Sequence, residues 1–320
     1  TIIIESEKEM VELQYYLSNV PEALIYGLLA MGIYISLRIL DIPDLTTEGS
    51  FGFGAVISVL VSLNGHPILA VFAGIAAGMI AGLITGALQT KLNVHPVLAG
   101  IITMSGLYSI NLVCYSLTDK GQTTNLSYGK VTIFEKVKET LGIRGMFETS
   151  MVKAGVSFII ALVVILLVIW FFKTHLGLCI RATGDNPDMV RASSINVDRT
   201  KIVGLMMANG LIGLSGALQS QSISYADISL QNGTLIYGLA AVIIGEVIFG
   251  KRSVATGIVS AVIGSVLYKI IVAFVIRQQL FGDMSSNLMK FTCALIVAIT
   301  LAVPAIKERM AARKIRKGAM

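Results

Sequence analysis

Charge along this chain falls in blocks between long apolar runs, and that alternation limits what the chain can fold into. A helix needs about 20 predominantly apolar residues to cross a bilayer. Runs approaching that length lie at 22–40, 49–63, 67–89, 95–117, 155–172, 202–219, 234–249, 254–276 and 286–305. Charged residues make up 14% of the chain, against about a quarter in soluble domains, and mean hydropathy is +0.79. These features predict an all-α polytopic membrane protein with about 8–9 transmembrane helices. Residues 1–21 read as an acidic interfacial segment, 22–306 as the membrane domain and 307–320 as a basic tail. The start lacks a basic stretch followed by an apolar one, so no cleavable signal peptide is expected.

The net charge of +6 does not point to nucleic acid. Much of it sits in 307–317, directly after the last apolar run, where basic residues mark the cytoplasmic face and can touch anionic lipid. With the C-terminus inside, 250–253, 173–201 and Lys91 also fall inside, while 118–152, 222–233, 277–285 and the N-terminus fall outside. The acidic stretch 41–48 comes out inside, against the usual charge rule, unless it folds back into the bundle. Cys114, Cys179 and Cys293 lack metal-like spacing and read as packing residues.

Segment 173–201 is a polar, charge-dense island between two apolar runs, where a plain connection needs only a few residues. Asn186–Pro187 is a helix start signal, followed by a face of Met189, Val190, Ala192 and Ser193, with Asp188 and Arg191 elsewhere. A structured, mixed-charge helix outside a membrane bundle suits docking of a soluble partner, as in a transporter driven by another subunit.

Small residues let helices approach in lipid, where hydrophobicity gives no driving force. Gly74, Gly78, Gly82 and Gly86 form one smooth face, either a sliding or a static helix contact, and Gly210, Gly213 and Gly216 form a second ridge. The stretches Gly49–Gly54 and Gly233–Gly238 share the pattern G-[S/T]-apolar-x-aromatic-G. They would enter from opposite sides, as in an inverted repeat whose interrupted helices meet at a midplane site. The polar groups beside them, Thr46, Thr47, Glu48 and Ser50 with Asn232, Thr234 and Tyr237, are the pathway candidates.

A charge at the centre of a span costs about 2.5–3.5 kcal/mol on insertion scales, so polar residues within spans need a reason. Asn111, Asn209 and Gln219 either line a cavity or bond a neighbouring helix. Glu246 is expected to pair locally with Lys251 and Arg252, and Arg38 and Lys269 to snorkel or pair at the bundle edge. The run Gly245–Lys251 imitates a phosphate-binding loop, but Arg252 stands where a Ser or Thr must hold magnesium, and no strand precedes it. No ATP hydrolysis by this chain is expected. His66, His95 and His175 form no metal motif, so a membrane-embedded metalloenzyme is disfavoured.

Gly177-Leu-Cys-Ile-Arg181-Ala-Thr-Gly184-Asp185-Asn186-Pro187, followed by Ala192 and Ile195-Asn196-Val197, resembles the cytoplasmic loop of the branched-chain amino acid/ribose-type permeases of bacterial ABC importers. Asp44-Leu-Thr-Thr-Glu-Gly-Ser50 is similar to the element ahead of that family's second core helix. The resemblance implies a homodimeric permease with two cytoplasmic ATPase subunits, which bind ATP and magnesium, and an extracytoplasmic solute-binding lipoprotein. Carried over by position, 186–194 is the coupling helix, with Arg181, Gly184, Asp185, Asn186, Pro187, Asp188 and Arg191 as the coupling residues. The Glu48-Gly49-Ser50 version is most similar to a subgroup linked to hydrophobic and aromatic amino acids. The long outer segment 118–152, with Val131, Phe134, Val137 and Leu141 on one face, would contact the binding protein or lie on the membrane. An ion-coupled secondary transporter is the alternative. It predicts central paired carboxylates and leaves the island unexplained. A structural scaffold would not need glycine-broken spans.

Overall fold

The computed structural model describes residues 2–117, 123–126, 132–142, 146–250, 253–277 and 298. The expected run at 286–305, apart from residue 298, lies outside these residues, as do the tail 307–320, Cys293, Lys251 and Arg252. Among the described residues, seven helical stretches are long and apolar enough to cross a membrane: Leu17–Ile39, Pro67–Lys91, Pro96–Ser116, Thr149–Phe171, Val197–Ile223, Ile228–Phe249 and Val254–Val275. The run at 49–63 forms a shorter helix, α2 (Thr47–Leu63), which begins inside the bundle.

Helix α1 (Ile2–Tyr34) runs without a break through Pro21 and continues as a π-helical turn, Ile35–Ile39. The expected boundary between an interfacial segment and the first span therefore falls within one helix. Residues 41–46 then fold partly back into the bundle, with Ile42, Asp44 and Thr46 buried and Asp41 and Pro43 exposed, which accounts for the Asp44 carboxylate at a nominally inside position. Helices α3 (Pro67–Lys91) and α4 (Pro96–Ser116) each start with proline at the first position, where its missing N–H costs nothing. The outer segment contributes strand β1 (Thr123–Asn125) and helix α5 (Ile133–Thr140), capped by a reciprocal Thr132–Glu135 box. Phe134 of α5 is buried, Val137 is half-buried and Leu141 is exposed; Val131 lies outside the described residues. After α6 (Met146–Phe171), the island 173–201 holds two helices, α7 (His175–Asp185) and α8 (Pro187–Ala192), where the sequence predicts one. Helix α9 (Val197–Ile223) leads to strand β2 (Tyr225–Asp227), which pairs antiparallel with β1. Helices α10 (Thr234–Phe249) and α11 (Val254–Arg277) follow.

Helix α9 is central, packed on α3, α2 and α1. A Cβ at Gly78 or Gly82 would strike the carbonyl oxygen of Asn209 or Leu205, and one at Gly86 would lie 3.0 Å from Ile202 Cα. At Gly213 a Cβ would meet Gly74 O at 2.5 Å and Gly78 Cα at 2.9 Å. The α3 glycine face thus lies along α9 and meets the second ridge at Gly213, where backbone-to-backbone contact replaces side-chain interdigitation, while Gly216 packs on the Phe51 backbone of α2. Gly245, from the rejected phosphate-loop imitation, has the same use, since its missing Cβ lets α10 lie against the Ser260 backbone of α11. The outward faces of α4 and α6, including Ile102, Val113, Leu166 and Trp170, stay exposed, as a surface solvated by lipid requires.

Candidate translocation and coupling sites

The first site is a buried polar cluster where α2 meets the middle of α9. Asp44 is 5% exposed. Its Oδ1 accepts from the Thr46 N–H at 2.8 Å, and its Oδ2 accepts from Asn209 Nδ2 at 2.6 Å. Asn209 Oδ1 in turn accepts from the Ser50 hydroxyl at 2.6 Å. Thr46 and Thr85 hydroxyls share a 2.8 Å hydrogen bond, and the Thr47 hydroxyl donates to Asp44 O. A buried carboxylate is costly unless its oxygens are bonded, and here neutral donors bond both. Thr46, Thr47, Ser50 and Asn209 are thus brought together, all of them buried.

The two copies of the repeated pattern also meet. Glu48 lies in the first turn of α2, and its Oε1 accepts from the Gly233 N–H at 2.8 Å. Gly233 is the N-cap of α10 and adopts φ 87°, which favours glycine. One carboxylate therefore faces the N-terminal ends of two helices, each a favourable position for negative charge by about 0.3–1 kcal/mol. Ser50 is level with Asn209, midway along α9, so α2 starts well inside the bundle. The Glu48–Gly233 bond brings the start of α10 to nearly the same depth. Asn232 beside it is exposed, while Thr234 is buried and donates to Gln231 O at 2.9 Å. Asn111 Nδ2 donates to Gln231 Oε1 at 3.2 Å.

Tyr237 is placed apart from this cluster's hydrogen bonds. Its ring lies 4.6 Å from that of Tyr26 and 4.7 Å from that of Tyr268, and its hydroxyl contacts Ser265. It ties α10 to α1 and α11.

The island is pinned on one face and open on the other. Asn186 Oδ1 accepts from the Asp188 and Met189 N–H groups, both at 3.1 Å, so it caps α8 as expected, with Pro187 at the first position. Val190 is buried, and Gly184 of α7 presses on the Ile39 backbone of the π-helical turn. The Thr183 and Thr200 hydroxyls bond at 2.8 Å, joining α7 to the start of α9. Arg181, Asp185, Asp188, Met189 and Arg191 are exposed, with Asp188 and Arg191 3.2 Å apart. Of the predicted apolar face of α8, only Val190 points inward, and Met189, Ala192 and Ser193 remain open.

Two ion pairs fasten the helix ends. Lys269 meets Glu22 at 2.6 Å, in keeping with the expected pairing at the bundle edge. Glu246 bonds Arg38 at 2.6 Å; its expected local partners, Lys251 and Arg252, lie outside the described residues. The π-helical turn carries Arg38 across to α10, a route that sequence spacing does not show. Asp44 and Gln231, which each tie a cluster together, carry no local sequence signal of that role. Among the described residues, no group of His, Cys, Asp or Glu is arranged to hold a metal ion.

Residues 17–303 match the family described as branched-chain amino acid transport system / permease component. The chain belongs to this family. It is 32% identical over 88% of its length to the tyrosine transport system permease protein of Clostridioides difficile, covering 89% of that protein. The galactose/methyl galactoside import permease protein MglC of Haemophilus influenzae is 26% identical, over 82% of this chain and 80% of its own. The guanosine ABC transporter permease protein NupQ of Bacillus subtilis is 25% identical, over 72% and 75% respectively. This permease is thus a multi-pass membrane component of a transport system and not an enzyme.

Proposed function

We propose that this permease forms, as a homodimer in a bacterial cell membrane, the solute pathway of an ATP-driven importer. Two cytoplasmic ATPase subunits hold ATP and magnesium, and an extracytoplasmic lipoprotein delivers the solute. The C-terminus lies on the cytoplasmic side. The observation that carries this reading is the island, whose inner face is locked to α9 and the π-helical turn while Arg181, Asp185, Met189 and Arg191 are exposed. Such an element transmits force without deforming.

A contiguous set of contacts leads inward from it. Gly184 rests on Ile39, Arg38 next to Ile39 holds Glu246 of α10, and the other end of α10 is held by Glu48. Closure of the ATPase pair moves the island and, through these contacts, tilts α10 against α2. The Glu48–Gly233 bond at the meeting point of the two repeats is where the pathway opens, with Asn232 and Thr234 beside it. Thr46, Thr47, Ser50, Asn111 and Asn209 form the polar wall behind it, and Tyr237 anchors the moving helix. No reactive side chain is needed, only two arrangements of similar energy with an external input that favours each in turn.

The solute is a small amino acid-type molecule, with a hydrophobic or aromatic side chain favoured. Support comes from the tyrosine permease relative and from the largely apolar surroundings of the polar cluster. Specificity rests mainly with the delivery protein. Replacing Arg191 with Glu abolishes solute-stimulated ATP hydrolysis in the reconstituted complex. The Asp188–Arg191 pair is exposed and contributes under about 1 kcal/mol, so the variant still folds. Unchanged stimulation would remove α8 from the coupling surface.

A further inference from the structure

One cavity takes no part in the proposed solute route. It measures about 420 Å³ and lies between α1, α6 and α9, at the end of the bundle that carries α5. Its wall includes Ser18 and Glu22 of α1, Lys153 of α6, and Gln219 and Ser222 of α9. Gln219 is 4% exposed, and its Oε1 accepts no hydrogen bond among the described residues. A buried amide oxygen left unbonded costs about 1–3 kcal/mol, so a donor is missing from this cavity. Lys153 Nζ donates to Ser222 O at 2.6 Å, leaving two more N–H groups to give. Glu22 holds Lys269 through Oε1, which leaves its second oxygen. The cavity thus offers acceptors on one side and an ammonium on the other.

Farther along α6 and α9 this seam holds an apolar groove of about 330 Å³ with α3 as its third wall, lined by residues including Ile75, Val164, Trp170, Phe171, Met207 and Leu214. From Ser222 down to Met207 the seam spans about 22 Å at 1.5 Å per residue, enough for an extended acyl chain. A polar, charge-paired head and a long apolar trough in line match one class of molecule.

We propose that this seam binds one phospholipid with a primary ammonium headgroup, its phosphate on Lys153, its ammonium on Glu22 and Gln219 Oε1, and an acyl chain in the groove. A bound lipid would bridge α6 to α9 and set the packing of the outer segment, whichever solute the permease carries. A free amino acid offers the same charges but leaves the groove empty.

The test is native mass spectrometry of the full chain released from nanodiscs of phosphatidylglycerol mixed with either phosphatidylethanolamine or phosphatidylcholine of the same acyl chains. One phosphatidylethanolamine is expected to stay with each chain, while phosphatidylcholine, whose trimethylammonium has no N–H to donate, is retained poorly. Gln219→Leu lowers that retention about tenfold, in line with the loss of one charge-assisted hydrogen bond, while the melting midpoint in phosphatidylglycerol alone is unchanged. Equal retention of the three lipids by the unaltered chain would overturn the proposal without recourse to a variant. So would displacement of phosphatidylethanolamine by free tyrosine or leucine, which would assign the cavity to solute.

Discussion

Gly213→Leu leaves no correctly folded permease in the membrane. Its new side chain starts 2.5 Å from Gly74 O and 2.9 Å from Gly78 Cα, and backbone cannot move aside as a flexible side chain can. Gly54 of α2 also lies against the Gly213 backbone, so three helices meet at this point. Overpacking a core usually costs about 1–3 kcal/mol. Here relief requires separating α9 from α3 along the whole ridge, so the cost exceeds that range. Gly155→Leu is the matched control: a Cβ there meets nothing within 4 Å, on the lipid-facing side of α6. The measurement is the fraction of protein recovered monodisperse in mild detergent, near zero for Gly213→Leu and unchanged for Gly155→Leu. Equal recovery of the two would mean that the ridge is not a close contact.

The second large effect belongs to Asn209. Changing it to Leu keeps the branched shape but removes the 2.6 Å donor to Asp44 and the acceptor for Ser50. The Asp44 carboxylate stays buried with one of its two hydrogen-bonded oxygens bare, which destabilises the fold by about 3 kcal/mol. Neutralising the carboxylate removes most of that penalty, so the double variant Asn209→Leu with Asp44→Asn melts higher than Asn209→Leu alone. Thermal unfolding in lipid nanodiscs reads both. A double variant no more stable than the single one would mean that the Asp44 charge is not what Asn209 serves.

The legible parts of this protein are those written in local spacing. Apolar run lengths show the spans. Glycines four apart mark the contact face of α3, and Asn186-Pro187 marks the start of α8. The common pattern of 49–54 and 233–238 marks two segments that meet in space. What escaped depends on partners far apart in sequence. Nothing near Glu246 indicates Arg38, and nothing near Asp44 indicates Asn209. Helix α7 was hidden because its buried residues, Gly177, Cys179, Ile180 and Thr183, include glycine and threonine, which read locally as loop. Its hydrophobicity is modest because it packs against the ends of other helices and not against lipid. The buried state of Thr46, Thr47 and Ser50 was equally unreadable: the same hydroxyls suit a water-lined pathway or a closed lock, and only their partners decide. The short helix α2 looked like a full span because apolar content does not reveal the depth at which a helix begins.

The central claim, that the island carries force from a separate ATPase, is tested most directly by isolating the tagged full chain gently from its native membrane and identifying what accompanies it. The account predicts a cytoplasmic ATPase in equal number to the permease, two of each per assembly, lost when Arg181 and Arg191 are both changed to Glu. A stable assembly of this chain alone, taking up solute under an ion gradient without ATP, would contradict it.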